Sequence, residues 1–312
     1  MTHPRRLRFG IQLANATSAD HWVEQARRAE ELGYDCLLMP DHFGEQLAPL
    51  PALVAAANAT TDLRVGLLVL DNDYRHPLVL AKELATVDLL TRGRLEVGLG
   101  AGWMLSDYEQ SGISYDPPAT RVDRFEEGLE IVLGLFGPDP VNFRGEHYTI
   151  TAAQGHPRPV QDPRPPVIVG GGRERVLRIA ARHADIVGIN PSIPSGAIDS
   201  DAARTGTAEE TDQKLAWIRD EAGDRYDDLE INLLNFACIV TDDRDSMIDN
   251  MAPLFGLSPQ ELAEFPHALI GAVEEICETI EARRERWDAS YVVVQGDAME
   301  AFAPVVARLA GT

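Results

Sequence analysis

The chain has 312 residues, 45% of them hydrophobic, which is ample for a sizeable core and too apolar for a disordered segment. Its 50 acidic residues against 28 basic ones give a formal net charge of −22, a balance that repels nucleic acid and anionic lipid. Neither a nucleic acid nor a membrane is therefore expected as a partner.

Residues 7–13 form a short strand pattern. A helical spacing follows over 19–32, with Trp22, Val23, Ala26, Ala29 and Leu32 on one side, Ser18 placed to cap its start and Gly33 its end. The next elements are a strand over 34–39, a helix over 50–59, a fully apolar strand over 63–70, a helix over 77–90 and a strand over 95–99. A helix over 121–136 stops at Gly137 and Pro138, and residues 141–150 alternate about Gly145 as a hairpin. Beyond a proline-rich stretch come a strand over 167–169, a helix over 175–182 and a strand over 185–189. Residues 190–207 lack periodicity and read as a mobile loop able to serve as a lid. The remainder predicts a helix over 209–221, a strand over 229–240, helices over 245–255 and 273–286, a strand over 291–294 and a closing helix over 300–309.

Strands and helices alternate throughout, so the class is α/β, and eight strand patterns predict a (β/α)8 TIM barrel. No break divides the chain, so residues 1–312 are expected to form a single domain. The hairpin insertion falls near 137–165 and the mobile loop near 190–207. The basic opening of the chain has no apolar run behind it, and nothing reaches the roughly 18 to 20 apolar residues of a membrane helix. Neither a signal peptide nor a membrane span is expected, and the expected location is the cytoplasm. Cys36, Cys238 and Cys277 lie far apart without a CxxC pair, which argues against a disulfide framework or a structural zinc. Cys36 reads as a small core residue.

In such a barrel, chemistry belongs to the residues that follow each strand. After strand two come Asp41 and His42. The histidine can exchange a proton near neutral pH with Asp41 fixing its tautomer, or Asp41 caps a turn and His42 is a polar rim residue; position alone leaves both open. After strand three, Asp71 would face the mouth, while Asp73 and Pro77 read as the start of the next helix. After strand four comes a glycine run, Gly98, Gly100 and Gly102. It is spaced wrongly for a Rossmann fingerprint and suits a backbone cradle for a flat ring with a phosphate. After strand five, Gly170, Gly171, Gly172 and Arg173 open a helix, where free N–H groups favour an anion and Arg173 or Arg175 adds charge. The remaining histidines, His3 among them, show no metal-ligand spacing, and no metal is expected.

Several segments together resemble the luciferase-like superfamily of flavin- and deazaflavin-dependent oxidoreductases. They are residues 27–42, 75–82, 89–103, 121–129, 165–172 and 180–185, and their order and spacing carry the likeness, dense to about residue 190 and thin until 291–294. The resemblance implies coenzyme F420, a 5-deazaflavin, or FMN at the strand C-termini. The Asp-His pair looks like the deazaflavin branch, which would put His42 beside the redox carbon, with Asp41 as its catalytic companion. Gly100, Ala101, Gly102 and Trp103 would lie against the ring, and Gly170, Gly171, Gly172 and Arg173 would take the phosphate. The branch also carries a bulge with a non-proline cis peptide, which would fall within 67–71 and set Leu68, Val69, Leu70 and Asp71 against the back of the ring.

One departure stands out. In the branch that oxidises a sugar phosphate, a catalytic glutamate stands where this chain has Trp103, so sugar-phosphate dehydrogenation is not expected and an apolar wall is. Asp107 and Glu109 are further acids nearby in sequence. The resulting expectation is F420-dependent hydride transfer to or from a small organic substrate, with a separate enzyme reducing the coenzyme and a homodimer as the assembly. The rival expectations are an FMN-dependent monooxygenase fed by a reductase and a non-catalytic cofactor-binding protein.

Overall fold

A computed structural model of the chain describes residues 5–197 and 199–312. Ile198, within the segment read as a loop, and the first four residues, including His3, lie outside the described residues.

The first half comprises β1 (Arg8–Gln12), α1 (Ala19–Glu31), β2 (Cys36–Met39), α2 (Pro49–Ala59), β3 (Arg64–Leu67), β4 (Leu70–Asp71) and α3 (Pro77–Leu90). It continues through β5 (Leu95–Gly100), α4 (Leu105–Ser111), α5 (Pro118–Phe136), β6 (Val141–Arg144) and β7 (Thr149–Ala153). The second half holds β8 (Val167–Gly171), α6 (Glu174–His183), β9 (Ile186–Ile189), α7 (Ser200–Arg204), α8 (Ala208–Ala222), β10 (Glu230–Leu234) and β11 (Ala237–Val240). It ends with α9 (Arg244–Phe255), α10 (Pro259–Ala263), β12 (Ala268–Gly271), α11 (Val273–Trp287), β13 (Ala289–Gln295) and α12 (Met299–Leu309).

Strands β1, β2, β3, β5, β8, β9, β10 and β13 pair in parallel in that order, and β13 returns to β1. This is the closed (β/α)8 barrel the alternation predicts. Strands such as β2 and β9 are apolar throughout because both faces are covered, one by the barrel interior and the other by the helices. At the N-terminal end an ionic plug fills the interior. Arg8 bonds Glu96 at 2.6 Å and Glu230 at 2.6 Å, Arg64 bonds Glu96 at 2.9 Å, and the Tyr291 hydroxyl donates to Glu96 at 3.2 Å. Ligand access is therefore left to the opposite rim. Cys36 is fully buried beside this plug, a core residue as expected. No helix among the described residues is long and apolar enough to cross a membrane.

The structure adds to the sequence reading in several places, the short helices α4 and α10 among them. The third strand breaks between β3 and β4, where the Leu68–Val69 peptide is cis, inside the span the resemblance indicated. The strand expected over 229–240 is two strands. The last barrel bond runs from Asn235 N to the Val293 carbonyl; the chain then turns outward, and β11 pairs with β12 in a separate two-stranded sheet. β12, a four-residue run flanked by loops, has too little periodicity to be read alone. The 190–207 segment carries a short helix, α7, whose start Asp199 caps by accepting from Ala202 N. The hairpin β6–β7 forms as expected, its turn held by Glu127 of α5, which accepts from the backbone N–H groups of Glu146, His147 and Tyr148.

Candidate active site

β5 and β8 are neighbours, with Leu99 opposite Val169, so the two glycine clusters leave the barrel side by side at its C-terminal end. β2 pairs with β3, Met39 opposite Leu67, which brings Asp41 and His42 to the same rim.

The glycines serve the protein's own packing as well as any ligand. A Cβ on Gly100 would come within 2.7 Å of a Val69 methyl, and one on Gly102, at φ +74°, within 1.9 Å of the Tyr108 hydroxyl. Gly172 passes the backbone at Pro191 and Ser192 with room for no side chain. Val69, beside the cis peptide, thus packs directly against the strand that carries the first glycine run. The Leu68 carbonyl accepts from Gln12 at 3.1 Å, and Gln295 donates to Gln12 at 3.0 Å, so side-chain amides at the ends of β1 and β13 brace the bulge from across the mouth.

His42 is held by Asp107 and not by Asp41. Its Nδ1 lies 2.7 Å from Asp107 Oδ2, which also accepts from the Tyr74 hydroxyl at 3.1 Å, while Asp107 Oδ1 accepts from Phe43 N at 3.2 Å. Asp107 sits in the first turn of α4 and is 1% exposed. A buried carboxylate receiving three donors fixes the proton on Nδ1 and leaves Nε2 with no protein partner among the described residues. The His42 and Trp103 rings meet nearly at right angles, with centroids 5.5 Å apart. Asp41, expected to orient the histidine, instead takes a bidentate pair from Arg75 at 2.6 and 3.2 Å and accepts from Asp71 N. The physical reason is geometric: adjacent residues leaving a strand point to opposite sides, so the partner of His42 comes from a different element.

A second buried cluster lies behind the glycine run. The Tyr108 hydroxyl is 3.1 Å from Asp71 Oδ2 and 2.9 Å from Asp73 Oδ2, and Arg124 clasps Asp73 with two bonds. Burial pushes the Asp71 carboxyl up to about 7, with the nearby Asp73 and Asp41 charges adding to the rise, against the opposing pull of the Asp73 N–H and the Tyr108 hydroxyl. Asp73 does not cap α3, as the sequence reading had it. His76 does, accepting from Leu78 N.

At the second cluster, α6 begins at Glu174 with no side-chain cap from Arg173, so its first N–H groups are not taken by the preceding side chain. Among the described residues Arg173 bonds the Ser192 hydroxyl alone, at 2.8 Å, whereas Arg175 is engaged by Asp123 and Glu126. A cleft of about 740 Å³ runs from Gly172 and Arg173 along α6 and α8, lined also by Arg178, Arg182, Ser192 and Trp217; His42 and the β5 glycines do not border it. The Asn190 side chain, half-buried at the end of β9, stands beside Gly170 without a protein partner among the described residues. An uncapped helix start, an arginine lacking a carboxylate, a free amide and a free imidazole nitrogen on one rim fit a flat ring with an anionic tail. Asn190, Tyr74 and Tyr108 were not singled out from the sequence. Asp107 was noted only as a nearby acid, although its place four residues beyond Trp103, at the start of a helix, was the available signal.

Comparison with known proteins agrees with this architecture. The model of the luciferase-like monooxygenase family matches residues 7–308. The chain is 33% identical over 171 residues to the F420-dependent glucose-6-phosphate dehydrogenase of Amycolatopsis mediterranei (strain U-32), a match covering 52% of this chain and 51% of that protein. It thus spans about half the length of that relative. A second protein of that name, from Nakamurella multipartita, is 28% identical over 302 residues, covering 92% of this chain and 84% of its own length. Among solved structures, the coenzyme F420-dependent tetrahydromethanopterin reductase of Methanopyrus kandleri superposes with a TM-score of 0.77 at 17% identity, covering 98% of this chain and 99% of that one. An F420-dependent secondary alcohol dehydrogenase in complex with an F420-acetone adduct gives 0.76 at 20% identity, covering 98% and 99%. At these identities the structural likeness is one of fold. With the family model spanning nearly its whole length, the chain belongs to the luciferase-like monooxygenase family.

Proposed function

We propose that this protein is an F420-dependent oxidoreductase that moves a hydride between the deazaflavin and a small organic substrate. The observation that carries the reading is the Asp107–His42 pair at the barrel mouth, with its free Nε2 on the same rim as both glycine clusters. The names of the relatives that align with this chain support the choice of coenzyme.

When bound, the deazaflavin supplies a two-electron hydride carrier. The chain's own residues do the rest. Gly170, Gly171, Gly172 and Arg173, with the start of α6, hold the phosphate of the tail. Gly100, Ala101, Gly102 and Trp103 would border one side of the ring, and Leu68 and Val69 would support its back; Leu70 is fully buried in the core and Asp71, expected to face the mouth, is buried against Tyr108, so neither side chain is free to meet the ring. His42 holds a proton at Nε2 for a substrate oxygen or receives one from it, with Asp107 stabilising the imidazolium. Asp41 keeps a supporting part: through Arg75 and Asp71 N it fixes the loop from which His42 projects. A separate enzyme reduces or reoxidises the coenzyme.

Titration of the purified protein with F420 and with FMN, followed by fluorescence, tests the reading. Saturable binding of F420, with FMN weaker by at least about tenfold, is expected. Preference for FMN, with oxygen consumption when FMNH2 is supplied, would replace it with a flavin monooxygenase.

A further inference from the structure

The 190–207 segment leaves β9 and reaches the residues that follow β5, where it packs closely through Gly196. Gly196 is buried, whereas Pro194, Ser195 and Ala197 around it are exposed. Its φ is +75°, and an added Cβ would stand 2.8 Å from the Tyr115 hydroxyl, 2.9 Å from Leu105 Cβ and 3.1 Å from the Trp103 carbonyl oxygen. Glycine alone suits both this conformation and this seat. The Gly196 carbonyl accepts from Leu105 N at 3.1 Å, and the Tyr115 hydroxyl donates to the Trp103 carbonyl at 3.0 Å.

Leu105 is the first residue of α4, and α4 depends on that bond. The helix has seven residues, too short to hold itself in water, and Met104 before it supplies no side-chain cap. The first N–H groups of a helix have no partner within it, so the Gly196 carbonyl satisfies one that the local sequence leaves open. Asp107, the carboxylate that holds His42, lies in this same first turn, and its own N–H donates to the Met104 carbonyl at 3.1 Å. The residue after Asp107 is pinned through the Tyr108 hydroxyl to Asp71 and Asp73. Ahead of Asp107 the fixed point is Leu105 N on Gly196.

We propose that Gly196 is a positioning residue for His42. Seated on the first turn of α4, it keeps Asp107 against the imidazole. Lifting of the 190–207 segment loosens the Asp107–His42 bond, and its return restores that bond, so the imidazole is set for proton transfer only while the segment is seated. The inference deepens the deazaflavin reading above and rests on it for the reaction served, whereas the link from Gly196 to His42 involves this chain's residues alone.

The test follows the His42 Nδ1 proton by nuclear magnetic resonance in protein carrying isotope-labelled histidine and no coenzyme, the signal being identified by its loss in His42→Gln. Exchange of this proton with solvent is expected to rise at least about tenfold in Gly196→Ala, which cannot take the seat, and similarly in Leu105→Pro. Proline suits the first position of a helix after an extended residue, so Leu105→Pro removes the N–H that donates to Gly196 with little strain. Ser195→Ala, which loses the bond to Asp199 and leaves the α4 contact alone, should stay within about twofold of wild type. Unchanged exchange in both variants, a rise in one of them alone, or an equal rise in Ser195→Ala overturns the coupling. Failure of the wild-type protein to bind F420 in titration overturns the coenzyme reading instead, while the exchange rates, measured without coenzyme, still decide the coupling.

Discussion

A side chain on Gly98 would occupy the carbonyl of Leu67: an ideal Cβ there stands 1.8 Å from that oxygen. β5 approaches the end of β3 so closely here that no side chain fits at this position. Gly98→Ala should therefore cost more than about 3 kcal/mol of stability or abolish soluble expression, because backbone rather than a flexible side chain must move. Gly112→Ala is the control. It carries a positive φ of 73° with nothing within 4 Å of its Cβ direction, and should cost only about 1 kcal/mol. Equal losses in urea denaturation would show that the close approach is unimportant.

Asp107→Asn keeps the size of the side chain but removes the charge that fixes the proton on His42 Nδ1. The turnover number should fall by about 10² to 10⁴, with the far-ultraviolet circular dichroism spectrum unchanged. Activity within threefold of wild type would show that His42 needs no carboxylate partner.

The Asp71 carboxyl, raised from 3.8 to about 7 by burial, gives a signed dependence of stability on pH. Between those values the native fold holds a proton that the unfolded chain has lost, so this residue makes stability fall as pH rises through the window and stay level above it. The whole effect is at most about 4 kcal/mol. Asp71→Asn mimics the protonated form and can keep both the Asp73 N–H and the Tyr108 contacts. Its stability relative to wild type should climb from pH 4 to 7 and then hold constant. A flat difference across that range counts against a shifted carboxyl.

Lys214 ties Asn190 and Thr205, the two ends of the segment over the cleft, through their carbonyl oxygens. Lys214→Met should leave both acceptors unpaired and speed proteolytic cleavage within 190–207 severalfold, with the barrel staying intact. Cleavage at the wild-type rate would mean that the segment is held by other contacts, such as Leu105 N to Gly196.

The barrel was legible because its signal is local. Apolar runs of strand length alternate with amphipathic helices, and Ser18 accepts from His21 N as a helix cap in the structure just as its position before the helix indicates. The glycine clusters and His42 were legible because topology alone sends residues after barrel strands to one rim. The partner of His42 was not. Asp41 is its neighbour in sequence, but Asp107, 65 positions away, is its neighbour in space.

The amino-acid order thus determined the strand count, the closed sheet and the rim on which the histidine and the glycines gather, since each depends on periodicities within a few residues. Only the folded chain decided which carboxylate meets the imidazole, which arginines are already engaged and where β11 leaves the barrel. These depend on contacts between residues far apart in sequence, and no local pattern records them.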